Sequence, residues 1–157
     1  MPDKQHHYTV TVTWTGNRGE GTRTYSAYSR DHVIEAAGKR AIQGSSDPAF
    51  RGDPARWNPE ELLLASLSAC HKLWYLHLCS VAGLSVLSYQ DAAEGTMTED
   101  TTGAGRFTQA ILCPTIAFAA GVDVAKAEAL HDDAHRHCFI ANSVNFPVLC
   151  EPIFVIG

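Results

Sequence analysis

Trp57-Asn58-Pro59-Glu60-Glu61-Leu62-Leu63-Leu64-Ala65-Ser66-Leu67-Ser68-Ala69-Cys70 is a strong helix start that runs into an apolar helix carrying one thiol. Asn58 can cap the helix through its side-chain oxygen. Pro59 suits the first helical position because its missing N–H would be unbonded there anyway, and Glu61 occupies the capping-box position. Trp57 and Leu62 suit a hydrophobic staple across the cap. The helix is expected to run from residue 59 to 81 or 82, with Gly83 as its C-cap. Leu62, Leu63, Leu64, Leu67, Leu73, Trp74, Tyr75, Leu76 and Leu78 leave it without a polar face, so it needs cover on every side. One small sheet covers part of such a helix, and a second copy of the chain is the expected remainder.

Upstream, residues 8–14 alternate with period two, and residues 22–28 are expected to pair with them as a hairpin across a turn at 16–21. Residues 32–37 are expected as a third strand, although 33–37 would also tolerate a helix. Residues 44–56, with their Ser, Asp, Pro and Gly, read as a loop feeding the capped helix. Downstream, strands are expected at 85–97 and 106–119 around the turn-rich 98–105. A second helix follows from 123 to 137 or 138, and a final strand covers 152–156. The order β-β-β-α-β-β-α-β groups the strands instead of alternating them with helices, which makes the class α+β.

The 157 residues and 45% hydrophobic content suffice for one core, so a single domain over 1–157 is expected. A net charge of −5 with scattered Lys and Arg argues against a nucleic-acid partner, which needs a basic face. The opening residues Met1-Pro2-Asp3-Lys4-Gln5-His6-His7 lack the basic-then-apolar pattern of a secretory leader, and a cytoplasmic location is the expectation. Five cysteines, an odd count, fit reactive or buried thiols better than a disulfide framework. Lys72 near the centre of 62–82 would be costly in lipid, so this stretch reads as a helix buried in protein and no membrane partner is expected.

Four segments carry a family resemblance: Arg18-Gly19-Glu20-Gly21-Thr22, Asn58-Pro59-Glu60-Glu61-Leu62, Ser68-Ala69-Cys70 and His135-Arg136-His137-Cys138. In this order, with Glu60 and Cys70 ten residues apart, they resemble the OsmC and organic hydroperoxide resistance family over nearly the whole chain. The resemblance implies an antiparallel-rich sheet around a long buried central helix, an intertwined homodimer, and a thiol-dependent peroxidase acting on alkyl or lipid hydroperoxides. It implies Cys70 as the attacking thiol, Cys138 as the cysteine that closes a Cys70–Cys138 disulfide, Arg18 and Glu60 as their catalytic supports, and an external dithiol, of the lipoyl type in relatives, as reductant. Two departures stand out. His71 follows Cys70, and Phe139-Ile140-Ala141-Asn142 follows Cys138, where many relatives have proline directly after the cysteine.

Physical chemistry constrains these implied roles. A cysteine in a helix interior gains little from the helix dipole, so a cation such as Arg18 must stabilise its thiolate. Glu60 can orient that arginine through a charge-assisted pair. Ten residues at about 1.5 Å rise put Glu60 roughly 15 Å from Cys70 along a straight helix. Glu60 is therefore expected to serve the thiol either across the dimer interface, the favoured arrangement, or through Arg18 in a bent one. Cys79 lies about 13 Å along the same helix and half a turn round, beyond the ~7 Å that a disulfide tolerates. Cys138, at the end of the second helix, sits where the dipole disfavours a thiolate and can wait protonated. Cys113 and Cys150 are expected to fill strand positions.

Leu73, Trp74, Phe139, Ile140 and Phe146 are expected to wall an apolar substrate pocket, where an alkyl tail contributes about 0.8 kcal/mol per buried CH₂. His131, His135 and Cys138 share one helix face at i, i+4 and i+7, yet no Cys-x-x-Cys or His-Glu-x-x-His motif anchors a site, so neither metal nor cofactor is expected. The alternative to an enzyme is a dimer that uses the same cleft to bind a hydrophobic ligand or to sense oxidation.

Overall fold

The computed structural model describes residues 2–157; Met1, the first residue of the stretch read for a leader, lies outside them. The chain forms two compact units, one ending at Leu62 and the other spanning Leu63–Gly157.

In the first unit, strands β1 (Thr11–Trp14), β2 (His32–Glu35) and β3 (Ile42–Gly44) form an antiparallel sheet in the order β1-β2-β3. The partner of β1 is therefore His32–Glu35, which resolves the open reading of 32–37, and not residues 22–28. The reason lies in the intervening segment. Gly16 comes so close to the Ser29 carbonyl oxygen that an added Cβ would sit 2.0 Å from it, and the Trp14 indole N–H donates to the same oxygen at 2.9 Å. Tyr25 and Tyr28, which read as strand positions, instead present their ring faces to the Arg30 guanidinium at 4.4 and 3.9 Å. The stretch from 44 to 56 also carries more structure than a loop. Gly44 bridges to Trp57, and a 3-10 turn occupies Pro48–Phe50.

Helix α1 (Pro59–Val81) starts on a reciprocal capping box. The Asn58 N–H donates to Glu61 Oε1 at 3.1 Å, and the Glu61 N–H donates to Asn58 Oδ1 at 2.8 Å. At the other end Gly83 takes φ 77°, with the Leu84 N–H reaching the Cys79 carbonyl at 2.9 Å, so the carbonyls of the last turn are satisfied as in a Schellman motif. Asn58→Ala removes one arm of the cap and leaves the Glu61 N–H unpaired. It should cost about 1 kcal/mol, read as a Tm lower by roughly 2–4 °C for a chain of this size. Asn58→Asp should restore the value, and an unchanged Tm in Asn58→Ala would refute the capping role.

In the second unit the expected strand 85–97 is two strands, β4 (Val86–Asp91) and β5 (Glu94–Glu99). The expected strand 106–119 is likewise β6 (Gly105–Leu112) and β7 (Pro114–Phe118). After α2 (Val124–His137) come β8 (Val148–Cys150) and β9 (Ile153–Ile156). Two mixed sheets result, β4-β7-β9 and β5-β6-β8, each with one antiparallel and one parallel pairing. Both long segments change sheet at the same level. Asp91 pairs with Pro114, and Asp91 Oδ1 accepts the Cys113 N–H at 2.7 Å. Pro114, with no N–H to offer a ladder, fits the first position of β7. Cys113 thus sits in a break between strands, whereas Cys150 ends β8 as a strand residue.

The class is α+β, as the sequence indicates, although the order is β-β-β-α-β-β-β-β-α-β-β. The core of this unit gathers Tyr75 and Cys79 of α1, Ile116 and Phe118 of β7, and Ala127, Leu130 and Ala134 of α2. Along α1 the buried residues are Leu67, His71, Tyr75 and Cys79, a stripe at spacings of four, while Leu73 and Val81 stand 62% and 74% exposed. One chain therefore covers one face of this apolar helix. Among the described residues no helix is long and apolar enough to cross a membrane.

Candidate active site

Cys70 lies half-buried on α1, on the face beside the buried stripe. Leu73, Trp74 and His77 follow at three, four and seven residues, so helical geometry puts them on the same face as Cys70. Ser68 fixes this part of the helix to the sheet by donating its hydroxyl to Asp91 Oδ2 at 2.5 Å.

Cys138 is the C-cap of α2, its N–H donating to the Ala134 carbonyl at 2.9 Å, and it is 1% exposed. The Cys70 side chain adjoins the Cys138 thiol closely enough to disfavour its ionisation. The Ala141 N–H donates to Cys138 Sγ at 3.5 Å. Burial first, and the adjacent Cys70 second among the raising influences, push the Cys138 thiol up to about 11, against the donated backbone N–H groups of Ala141 and Ile140. Cys138 is thus a protonated thiol at neutral pH, chiefly because it is desolvated. The helix end foreseen from the sequence is its location; burial is the larger cause.

Of the residues expected in the apolar pocket, Leu73 and Trp74 line an open depression of about 280 Å³, together with His77. Trp74 is the centre of an aromatic cluster, with ring centroids 4.9 Å from His137, 5.6 Å from Phe139 and 5.9 Å from His77. Ile140 opens the 3-10 turn Ala141–Ser143 and is half-buried. Phe146 stacks on Phe107 of β6, at 5.4 Å. His77, which lines the depression, and His137, which packs on Trp74, are not among the residues the sequence points to as a pocket; the available signals were the spacing of His77 from Trp74 and the place of His137 directly before Cys138.

Arg18 is exposed in the loop between β1 and β2, where Asn17 Oδ1 accepts the N–H groups of Gly19 and Gly21, each at 2.9 Å. Glu60 occupies the first turn of α1, and its Oε2 is buried with no hydrogen-bond partner among the described residues. No ion pair joins Arg18 to Glu60 within the chain among the described residues.

On the buried stripe of α1, His71 turns away from Cys70 and shares a 2.9 Å hydrogen bond with His131 of α2, Nε2 to Nδ1. Cys150 Sγ stands 3.8 and 3.6 Å from those two nitrogens. The face shared in sequence by His131, His135 and Cys138 is thereby divided: His131 faces His71, His135 is exposed, and Cys138 faces Cys70.

The fold and the paired thiols define a small α+β protein with a two-cysteine centre at the junction of its two helices. Residues 52–151 match the family described as OsmC-like protein, and the chain belongs to that family. Among solved structures, it is 32% identical to an OsmC-like protein of unknown function from Vibrio cholerae O1 biovar eltor, with a TM-score of 0.86 over 95% of this chain and 100% of that one. An organic hydroperoxide resistance protein from Elizabethkingia anophelis shares the fold at 18% identity and a TM-score of 0.68, over 98% of this chain and 100% of that one. So does an organic hydroperoxide resistance protein OsmC from Legionella pneumophila, at 20% identity and a TM-score of 0.67, over 96% and 98% of the two chains. Comparison with curated proteins finds no match.

Proposed function

We propose that this protein is a thiol-dependent peroxidase that reduces organic hydroperoxides, alkyl or lipid, to alcohols. The observation that carries the reading is the juxtaposition of a half-buried Cys70 thiol with a buried, protonated Cys138 thiol. The Elizabethkingia and Legionella proteins that share the fold, both organic hydroperoxide resistance proteins, point the same way.

The chemistry has three balanced steps. Cys70 thiolate attacks the terminal oxygen of the hydroperoxide, the O–O bond breaks, and the alkoxide takes up a proton and leaves as alcohol while Cys70 becomes a sulfenic acid. The Cys138 thiol then attacks the sulfenic sulfur, forming the Cys70–Cys138 disulfide and releasing water. An external dithiol, of the lipoyl type by family resemblance, reduces that disulfide by two exchanges and departs as its own disulfide. Cys138 suits the second step because a thiol held protonated does not compete for the peroxide. The depression beside Leu73 and Trp74, with Phe139 packed on Trp74, offers an alkyl tail an apolar wall. Ile140 and Phe146 complete that wall in the proposed substrate complex.

The reading includes a homodimer. Leu73 at 62% exposure and Val81 at 74% leave an apolar face of α1 open, and a second copy is its occupant. Arg18, exposed and with no ion pair among the described residues, and Glu60, with a buried carboxylate oxygen lacking a donor among them, then act on the Cys70 of the partner chain.

One equivalent of an alkyl hydroperoxide per chain should produce a single intrachain disulfide, and peptide mass mapping should find it between Cys70 and Cys138. With excess peroxide and a dithiol the protein should turn over repeatedly. A bridge from Cys70 to another cysteine would sink the assignment of Cys138. A single oxidation per subunit with no turnover on any dithiol would sink the enzyme and favour the sensing or ligand-binding dimer.

A further inference from the structure

The His71, His131 and Cys150 side chains come from three elements that are far apart in sequence, α1, α2 and β8, and meet inside the second unit. His71 is 2% and His131 4% exposed. Their three ligand atoms all lie within 4.8 Å of one another. The Tyr75 ring stacks on His131 at 3.8 Å between centroids and anchors its own hydroxyl on the Ala127 carbonyl at 2.8 Å, which holds the imidazole in place. His131 Nε2 is buried with no hydrogen-bond partner among the described residues, so Nδ1, the atom facing His71 and Cys150, is the polar anchor of that ring.

We propose that His71 Nε2, His131 Nδ1 and Cys150 Sγ form a binding site for one borderline-soft divalent cation of the zinc class. The distances argue for it. Metal–nitrogen bonds of about 2.0–2.1 Å and a metal–sulfur bond of about 2.3 Å set tetrahedral nitrogen–sulfur edges of roughly 3.6 Å and a nitrogen–nitrogen edge of roughly 3.4 Å. The observed nitrogen–sulfur separations are 3.6 and 3.8 Å, and the nitrogen–nitrogen separation is 2.9 Å. Two edges fit, and the third opens by about 0.5 Å as the cation replaces the direct His–His hydrogen bond.

The donor chemistry agrees. Two imidazoles and a thiolate suit zinc-class ions and do not suit magnesium or calcium. Burial, with His135 adding to it and Asp91 opposing, lowers His71 to about 4, and burial together with His71 lowers His131 to about 3. Both rings are therefore neutral and free of proton competition at pH 7. Burial pushes the Cys150 thiol up to about 12, with Asp91, Cys113, Asp132 and Glu151 adding to it. The cation displaces that thiol proton, and one proton leaves for solvent per ion bound. The negative charge of Asp91, Asp132 and Glu151 around the sulfur opposes a bare thiolate and favours a cation beside it.

The site is separate from the Cys70–Cys138 pair, and its test is run where the peroxidase reading plays no part. Metal-free full-length Cys70→Ser/Cys138→Ser protein should bind one Co²⁺ per chain, with a thiolate-to-cobalt charge-transfer band, tetrahedral visible bands and displacement by Zn²⁺. Cys150→Ser should abolish the charge-transfer band, and it and His131→Gln should each weaken binding by about tenfold or more. Circular dichroism identifies variants that remain folded, and the near-isosteric Cys150→Ser serves if His131→Gln does not fold. Absence of stoichiometric binding to the folded double variant, or a charge-transfer band that persists with undiminished affinity in Cys150→Ser, would overturn the proposal.

Discussion

Cys70→Ser is expected to lower hydroperoxide turnover by a factor on the order of 10³ or more, with the fold intact, because a hydroxyl at that position does not ionise near neutral pH and replaces neither the nucleophile nor its sulfenic acid. The fold should survive because the change is nearly isosteric and Cys70 lies off the buried stripe of Leu67, His71, Tyr75 and Cys79. Cys138→Ser separates the two thiols. Its first oxidation should proceed at close to the wild-type rate, since Cys138 does not attack the peroxide. Steady-state turnover should then fall, because the sulfenic acid has lost its neighbour, and excess peroxide should drive Cys70 onward to the irreversible sulfinic acid. Rapid-mixing kinetics with mass analysis of Cys70 reads both steps. Turnover retained in Cys70→Ser would remove the basis of the proposed function, and a Cys138→Ser protein as fast as wild type through many cycles would remove the second thiol from it.

Mixing two inactive proteins, Cys70→Ser and Arg18→Ala, is expected to restore about a quarter of the wild-type rate at equal concentrations once subunits exchange. In a two-fold dimer about half of the assemblies are then mixed, and each mixed dimer has one of its two sites intact. That site combines the Cys70 of the Arg18→Ala chain with the Arg18 of the Cys70→Ser chain; the other site has neither. Several observations motivate the experiment: the exposure of Arg18, its lack of an ion pair with Glu60 in the chain, the orphaned Glu60 Oε2, and the open apolar face of α1 at Leu73 and Val81. A mixture that stays inactive after demonstrated exchange would place Arg18 in service of its own chain or of none.

What the sequence by itself determined is what short-range chemistry controls. Asn58, Pro59 and Glu61 set the start of α1 and Gly83 its end, because capping bonds and a left-handed φ involve residues within one turn of each other. The α+β class followed from the grouping of alternating segments, and Asp123 caps α2 through its side chain, close to where the second helix was expected. Only tertiary structure decided which strands pair. Residues 22–28 carry strand-like alternation, yet Tyr25 and Tyr28 present their ring faces to the Arg30 guanidinium, and β1 pairs with His32–Glu35 instead. Period two also does not mark where a strand leaves one sheet for another; the Asp91 carboxylate that receives both Ser68 and Cys113 makes that corner, 23 and 22 residues distant along the chain. The same holds for the thiols. Cys138 owes its protonated state mainly to burial, and Cys150 meets His71 and His131 because the parallel pairing of β6 with β8 brings its strand into the second unit's sheet. Desolvation and contacts between side chains 60 and 79 residues apart are properties of packing, and no local pattern in the chain encodes them.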